Sequence, residues 1–105
     1  MSHVQPDGDA ISSTVVVGWM LDKLGKTFTM MNEGPVPSRL RHLWRGGDIV
    51  GCGDSEGGGP ARQYSHVIAV DCADFARLGP AKDWLAPDRM LLNIDHHATN
   101  DGFGD

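Results

Sequence analysis

The apolar positions fall into a few runs separated by turn-forming residues. Within residues 10–24, Ile11, Val15 and Trp19 recur every four residues, and Val16, Met20, Leu24, Val17 and Leu21 widen the apolar face. That spacing predicts a helix, and a face so broad predicts one packed deep against a sheet. Asp9 is placed to cap its start, while Lys23 with Gly25 marks its end. Gly18 within it costs about 1 kcal/mol relative to alanine unless close packing requires it. The opening SHVQPDGD reads as loop, because Pro6 and Gly8 interrupt regular structure and Asp7 and Asp9 favour turns.

Residues 27–31 (TFTMM) predict a strand. After Pro35 and Pro37, residues 38–44 predict a short helix, and residues 46–64 a glycine-rich loop around a short strand at 48–50. Two continuous apolar runs follow. His66-Val67-Ile68-Ala69-Val70 ends at Asp71, and Met90-Leu91-Leu92-Asn93-Ile94 ends at Asp95. Between them, 75–78 and 81–85 are short helical pieces punctuated by Gly79-Pro80 and Pro87. Buried runs alternating with helical segments predict a parallel sheet covered on both faces, a three-layer α/β fold.

Composition narrows the class. The chain has 105 residues, enough for one domain, and is 40% apolar, too apolar for a disordered tail. Its 14 glycines, about twice the usual ~7%, predict many turns. No apolar run approaches the ~18 residues of a membrane span, and no basic-then-apolar leader is present. Nine basic against 14 acidic residues give a net charge of −5, which excludes a broad basic coat for long duplex nucleic acid. Cys52 and Cys72 form no CxxC pair, so a disulfide framework or thiolate zinc site is not expected and a reducing cytoplasm fits.

The remaining polar chemistry collects at strand ends. His3, Asp7 and Asp9 lie in the loop before the first helix; Asp71 follows one buried run; Asp95, His96 and His97 follow the next. In an open parallel sheet those positions share one rim, where ligands bind. Four carboxylates gathered there would repel one another, and a divalent cation is the simplest compensation. Oxygen and imidazole donors suit Mn²⁺, Mg²⁺, Fe²⁺ or Zn²⁺. Taken singly, Asp7-Gly8-Asp9 is a turn with a helix cap, Asp71 a strand-end aspartate, and His96-His97 an exposed pair. The joint pattern requires that ordinary explanation to hold three times at one edge. Arg39, Arg41 and Arg45 with His42 and Trp44 read as a solvated face. Gly57-Gly58-Gly59-Pro60 lacks the Lys-Ser/Thr of a phosphate loop and reads as a connection. Ser12 and Ser13 have no base partner, Cys72 reads as a small buried residue, and His42 and His66 are given no catalytic part.

HVQPDGDA at 3–10, VDCAD at 70–74 and NIDHHATN at 93–100 resemble the first three motifs of the DHH phosphoesterase superfamily, closest to its nanoRNase/3′-phosphoadenosine-5′-phosphate phosphatase branch. The resemblance spans nearly the whole chain, with NIDHHATNDGFGD its most specific part. It implies hydrolysis of short oligonucleotides or nucleotide phosphates by water activated at two metal ions, usually Mn²⁺, with Mg²⁺ an alternative. It makes His3 and Asp7 ligands of one ion, Asp9 and His96 of the other, and Asp71 a bridge. Asp95 would orient a histidine, and His97 would hold the substrate phosphate. The same motifs serve manganese pyrophosphatases and cyclic-dinucleotide phosphodiesterases, and an inert metal-binding fragment is the reading from another class. The resemblance further implies an apolar strand before His3, another metal-ligating aspartate after Asp105, and a second, basic substrate-binding domain. On that expectation residues 1–105 are a partial DHH domain, incomplete at both ends, with a frayed His3 and most substrate-binding charge elsewhere. The longer protein is expected to act on a short nucleotide substrate, away from membranes, and to form a homodimer.

Overall fold

The computed structural model describes residues 1–43, 49–53 and 62–105. Helix α1 (Gly8–Lys23) is followed by strand β1 (Met30–Glu33), a 3₁₀ segment (Ser38–Leu43), β2 (Ile49–Cys52), β3 (Tyr64–Val70), a second 3₁₀ segment (Phe75–Trp84) and β4 (Leu85–Ile94). Among the described residues all strand pairing is parallel. β1 pairs with β2, Met30 opposite Ile49 through Glu33 opposite Cys52. β3 pairs with β4, His66 opposite Met90 through Val70 opposite Ile94. The α/β class therefore holds, with the strands among the described residues forming two two-stranded sheets.

Several boundaries differ from expectation for local reasons. Asp7, not Asp9, caps α1: its backbone is extended and its side chain accepts from the amides of Asp9 and Ala10. At the other end Gly25 turns left-handed (φ 66°), and the amides of Gly25 and Lys26 bond the carbonyls of Asp22 and Leu21. Those two bonds make a Schellman cap. The expected deep burial of α1 is half right. Ile11, Thr14, Val15 and Gly18 are buried, whereas Val16, Trp19, Met20 and Leu24 are exposed, so one stripe serves the core. Gly18 is there for space: a Cβ would stand 2.5 Å from Met30 Sδ and 3.2 Å from Phe28 Cε2.

β1 starts three residues later than the apolar run TFTMM suggests, because its register is set by β2. Pro87, expected between elements, lies inside β4. There β4 advances from Leu85 to Met90 while β3 advances only from Tyr64 to His66, an excursion that frees Pro87 from the ladder. The sheet is not covered on both faces among the described residues: Met90, Leu92 and Ile94 are at least half exposed. Residues 44–48 and 54–61 lie outside the described part. With them go Trp44, Arg45, Asp48 and the glycine-rich connection at 57–60.

The core has two parts. Val67, Ala69, Cys72, Leu78, Leu85 and Leu91 form one cluster. Met31, Cys52 and Ala81 form the other, and Met1 packs against both. Cys52 and Cys72 are free and buried, and burial pushes both thiols up. The second 3₁₀ segment is kinked at Gly79 (φ 55°, ψ −137°), a conformation essentially reserved for glycine. A Cβ at Gly79 would also collide with Val4 Cγ1. Gly79→Ala is therefore expected to cost about 3 kcal/mol, strain and overpacking together, or roughly 10–20 °C in Tm by thermal denaturation.

The first residues are pinned, not frayed. The Met1 ammonium donates to Ile68 O (3.0 Å), and Met1 O accepts from Val70 N–H (2.9 Å). The amide and hydroxyl of Ser2 both donate to Oδ1 of the fully buried Asn32 on β1. Burial lowers the Met1 amine from 8.0 to about 6. An unfolded amine binds its proton up to about pH 8, whereas the folded one releases it near 6. Stability thus rises with pH across that window, by about 2–3 kcal/mol in the ideal case. In a chain with a free Met1 amine, urea denaturation at pH 6 and 8 should show this slope, and Nα-acetylation should remove it.

Candidate metal centre

Three stretches of chain meet beyond the carboxyl ends of β3 and β4. In the first, the loop before α1, His3 is 6% exposed and its Nδ1 lies 2.7 Å from Val4 O. A carbonyl only accepts, so Nδ1 carries the proton and Nε2 keeps its lone pair. That Nε2 is 3.6 Å from Asp71 Oδ2. Asp7 Oδ1 is occupied by the cap, leaving Oδ2 for the cluster. The amide of Ala10 holds the Asp7 carboxyl below the usual carboxylate range, against the opposing effect of burial. Asp9, relieved of capping, accepts from Ser13 Oγ (3.3 Å) on Oδ1 and lies 3.7 Å from His96 Nε2 through Oδ2. Ser13 thus has an acidic neighbour, one helical turn back, that the sequence reading did not give it.

Asp71 is the hub. It sits one residue past β3 in the left-handed region (φ 51°), with its amide donating to Ile94 O (3.0 Å). The turn drives its carboxylate inward, where the side chain is 5% exposed. Its Oδ1 is buried with no hydrogen-bond partner, 3.3 Å from His96 Nε2 and 3.7 Å from His97 Nδ1. An unpartnered buried carboxylate oxygen is costly, and a bound cation would relieve it.

The third stretch runs from Asp95 to Asn100. Asp95 Oδ1 accepts from His97 Nδ1 at 2.7 Å, and Oδ2 accepts from Asn100 Nδ2 at 2.7 Å and from the His97 amide at 3.3 Å. Burial acts to raise the Asp95 carboxyl, but the bonds from Asn100 and His97 outweigh it and hold the group low. The same Asp95 bond raises His97 above the ordinary imidazole value, against burial and the charge of Arg77. His97 Nδ1 is therefore committed to Asp95, and Nε2 is the atom it can present.

All seven residues singled out in the sequence, His3, Asp7, Asp9, Asp71, Asp95, His96 and His97, converge here. His3, Asp7 and Asp71 can each bring a donor atom within 4.8 Å of the others, as can Asp71, His96 and His97. The donors are oxygen and imidazole nitrogen, a set suited to hard or borderline divalent cations. Two contributors went unread. Asn100 lies inside the motif at 93–100 without an assigned part, and Asn32, which pins the histidine loop, follows the apolar pair Met30-Met31 with no local sign of its role. His42 and His66 are not among the residues grouped here.

Residues 1–104 match the DHH family, N-terminal domain. The chain is also 30% identical over 106 residues to the bifunctional oligoribonuclease and PAP phosphatase NrnA of Thermus thermophilus. That alignment covers 98% of this chain and 28% of the relative, so the chain spans little more than a quarter of that protein's length. Among the described residues, no helix is long and apolar enough to cross a membrane.

Proposed function

The chain belongs to the DHH family, and on that premise we propose that it carries the metal site of a phosphoesterase that hydrolyses short oligonucleotides or nucleotide phosphates. The observation that carries the reading is Asp71 Oδ1, buried, unpartnered and facing both His96 and His97. His3 and Asp7 would hold one ion and Asp9 and His96 a second, with Asp71 within reach of both sets, and Mn²⁺ would be the preferred metal. Such ions activate water and neutralise the oxygens at phosphorus. His3 is suited to this by its Nδ1–H bond to Val4 O, which aims a free lone pair from Nε2. Asp95 fixes His97 with Nδ1 protonated and favours the imidazolium, so Nε2–H can donate to a phosphoryl oxygen as charge builds on it. Arg77, whose charge is felt at His97, makes no ion pair among the described residues and can meet the same phosphate. The two free buried thiols accord with a cytoplasmic protein.

The test has two parts. Calorimetry on the 105-residue chain should register Mn²⁺ binding. The native gene product should release phosphate or mononucleotide from 3′-phosphoadenosine 5′-phosphate or short oligoribonucleotides, stop with EDTA and resume with Mn²⁺. Preference for pyrophosphate or cyclic dinucleotides in the same panel would move the substrate class. EDTA-insensitive turnover, with no heat of metal binding, would overturn the reading.

A further inference from the structure

An open cavity of about 500 Å³ lies beside the metal centre, at the carboxyl ends of β1 and β2. Its walls include Gln5, Pro6, Glu33, Pro35, Pro37 and Pro80. Gln5 and Pro6 stand between His3 and Asp7, so one stretch of chain borders both the cavity and the metal centre. Gln5 is left-handed (φ 52°), and its amide donates to Glu33 Oε2 at 2.9 Å. A non-glycine residue seldom adopts that conformation, so the Glu33 bond helps to fix this shared wall. Glu33 is the one ionisable acid or base on a wall otherwise rich in proline, and among the described residues only its Oε2 is engaged.

The chemistry of these walls selects a ligand. A carboxylate repels phosphate and accepts from hydroxyls, as acidic residues do from ribose in dinucleotide sites. Proline rings offer rigid apolar faces that lose no rotamer freedom when a flat ring lies on them. The volume falls in the range of about 300–1,000 Å³ usual for small-molecule sites. We infer that this cavity is the nucleoside pocket of the metal centre. With the phosphate at the ions and His97, the ribose hydroxyls donate to Glu33 Oε1 and the base lies against the prolines. The inference rests on the phosphoesterase reading above, which supplies the place of the phosphate.

Calorimetry on the Mn²⁺-loaded native gene product tests it with three probes: inorganic phosphate, adenosine 5′-monophosphate and its 2′,3′-dideoxy analogue. The monophosphate is expected to bind at least about 100-fold more tightly than phosphate. Pro37→Trp fills the cavity and should remove most of that advantage while phosphate binding stays unchanged. Glu33→Gln keeps an acceptor for the Gln5 amide but gives up the charge. It should weaken the monophosphate about 10-fold and leave the dideoxy analogue unaffected. No binding of phosphate to the parent would sink the phosphoesterase reading and this inference with it. Phosphate bound by the parent, with the monophosphate equally tight in the parent and both variants, would overturn the pocket alone. Equal weakening of all three probes in both variants would also overturn it, leaving Glu33 and Pro37 as supports of the loop.

Discussion

Asp71→Asn is expected to remove metal binding, with at least about 100-fold weaker affinity by calorimetry and a fall of about 10³ or more in phosphoester hydrolysis, while making the metal-free chain more stable. The second half separates a ligand from a structural aspartate. The Asp71 side chain is 5% exposed and its Oδ1 has no hydrogen-bond partner. In the metal-free chain this carboxylate is held out of water beside Asp7, a placement that costs free energy unless a cation or hydrogen-bond donor compensates it. Asparagine tolerates the left-handed backbone at this position (φ 51°) and discards the charge. A gain of about 1 kcal/mol corresponds to a Tm about 4–8 °C higher for a chain of this size. A purely structural Asp71 would give the reverse: lower Tm, with metal binding intact.

Asp95→Asn separates positioning from ligation. Asp95 touches no ion in the proposed arrangement and works through His97, to which it is bonded at 2.7 Å. A carboxylate can only accept from Nδ1, whereas an amide can also donate to it and so permits the wrong tautomer. The expected outcome is a fall in kcat of about 10²–10⁴ with metal affinity little changed. NMR titration gives a readout free of turnover. His97 should titrate above the ordinary imidazole value in the parent chain and return toward it in the variant. The stability sign follows. A raised folded pKa contributes stability below the unfolded value near 6.5 and loses it as pH rises through the folded one. The variant should therefore lose most stability under acid conditions and least at alkaline pH. Unchanged kcat and an unchanged His97 titration would remove Asp95 from the mechanism.

What could be read in the sequence divides along one physical line. Asp71 and the Asp95–His97 pair were legible because each follows a buried apolar run, and the parallel-sheet rule sends such positions to one rim. The interactions that depend on distant partners were not legible. Nothing near Asn32 indicates that it meets Ser2, 30 residues away, and nothing near Met1 indicates a bridge to β3, 67 residues away. That is why the expected fraying of His3 fails. The cap exchange between Asp7 and Asp9 turns on a single backbone conformation that DGD leaves open. The exposed half of α1 shows the converse limit, since periodicity reports which positions are apolar and not whether a neighbour exists to cover them.

The convergence of His3, Asp71 and His96 also bears on how the chain folds. These residues are separated by 68 and 25 positions, so an ion held among them closes two long loops and ties nearly the first residue to nearly the last. Such a tie restricts the unfolded chain as a cross-link does, and an ion that prefers the folded form stabilises it by mass action, about 2.7 kcal/mol at a hundredfold excess over Kd. Occupancy and foldedness would then be linked, and a chelator would lower the stability of the chain by the same increment.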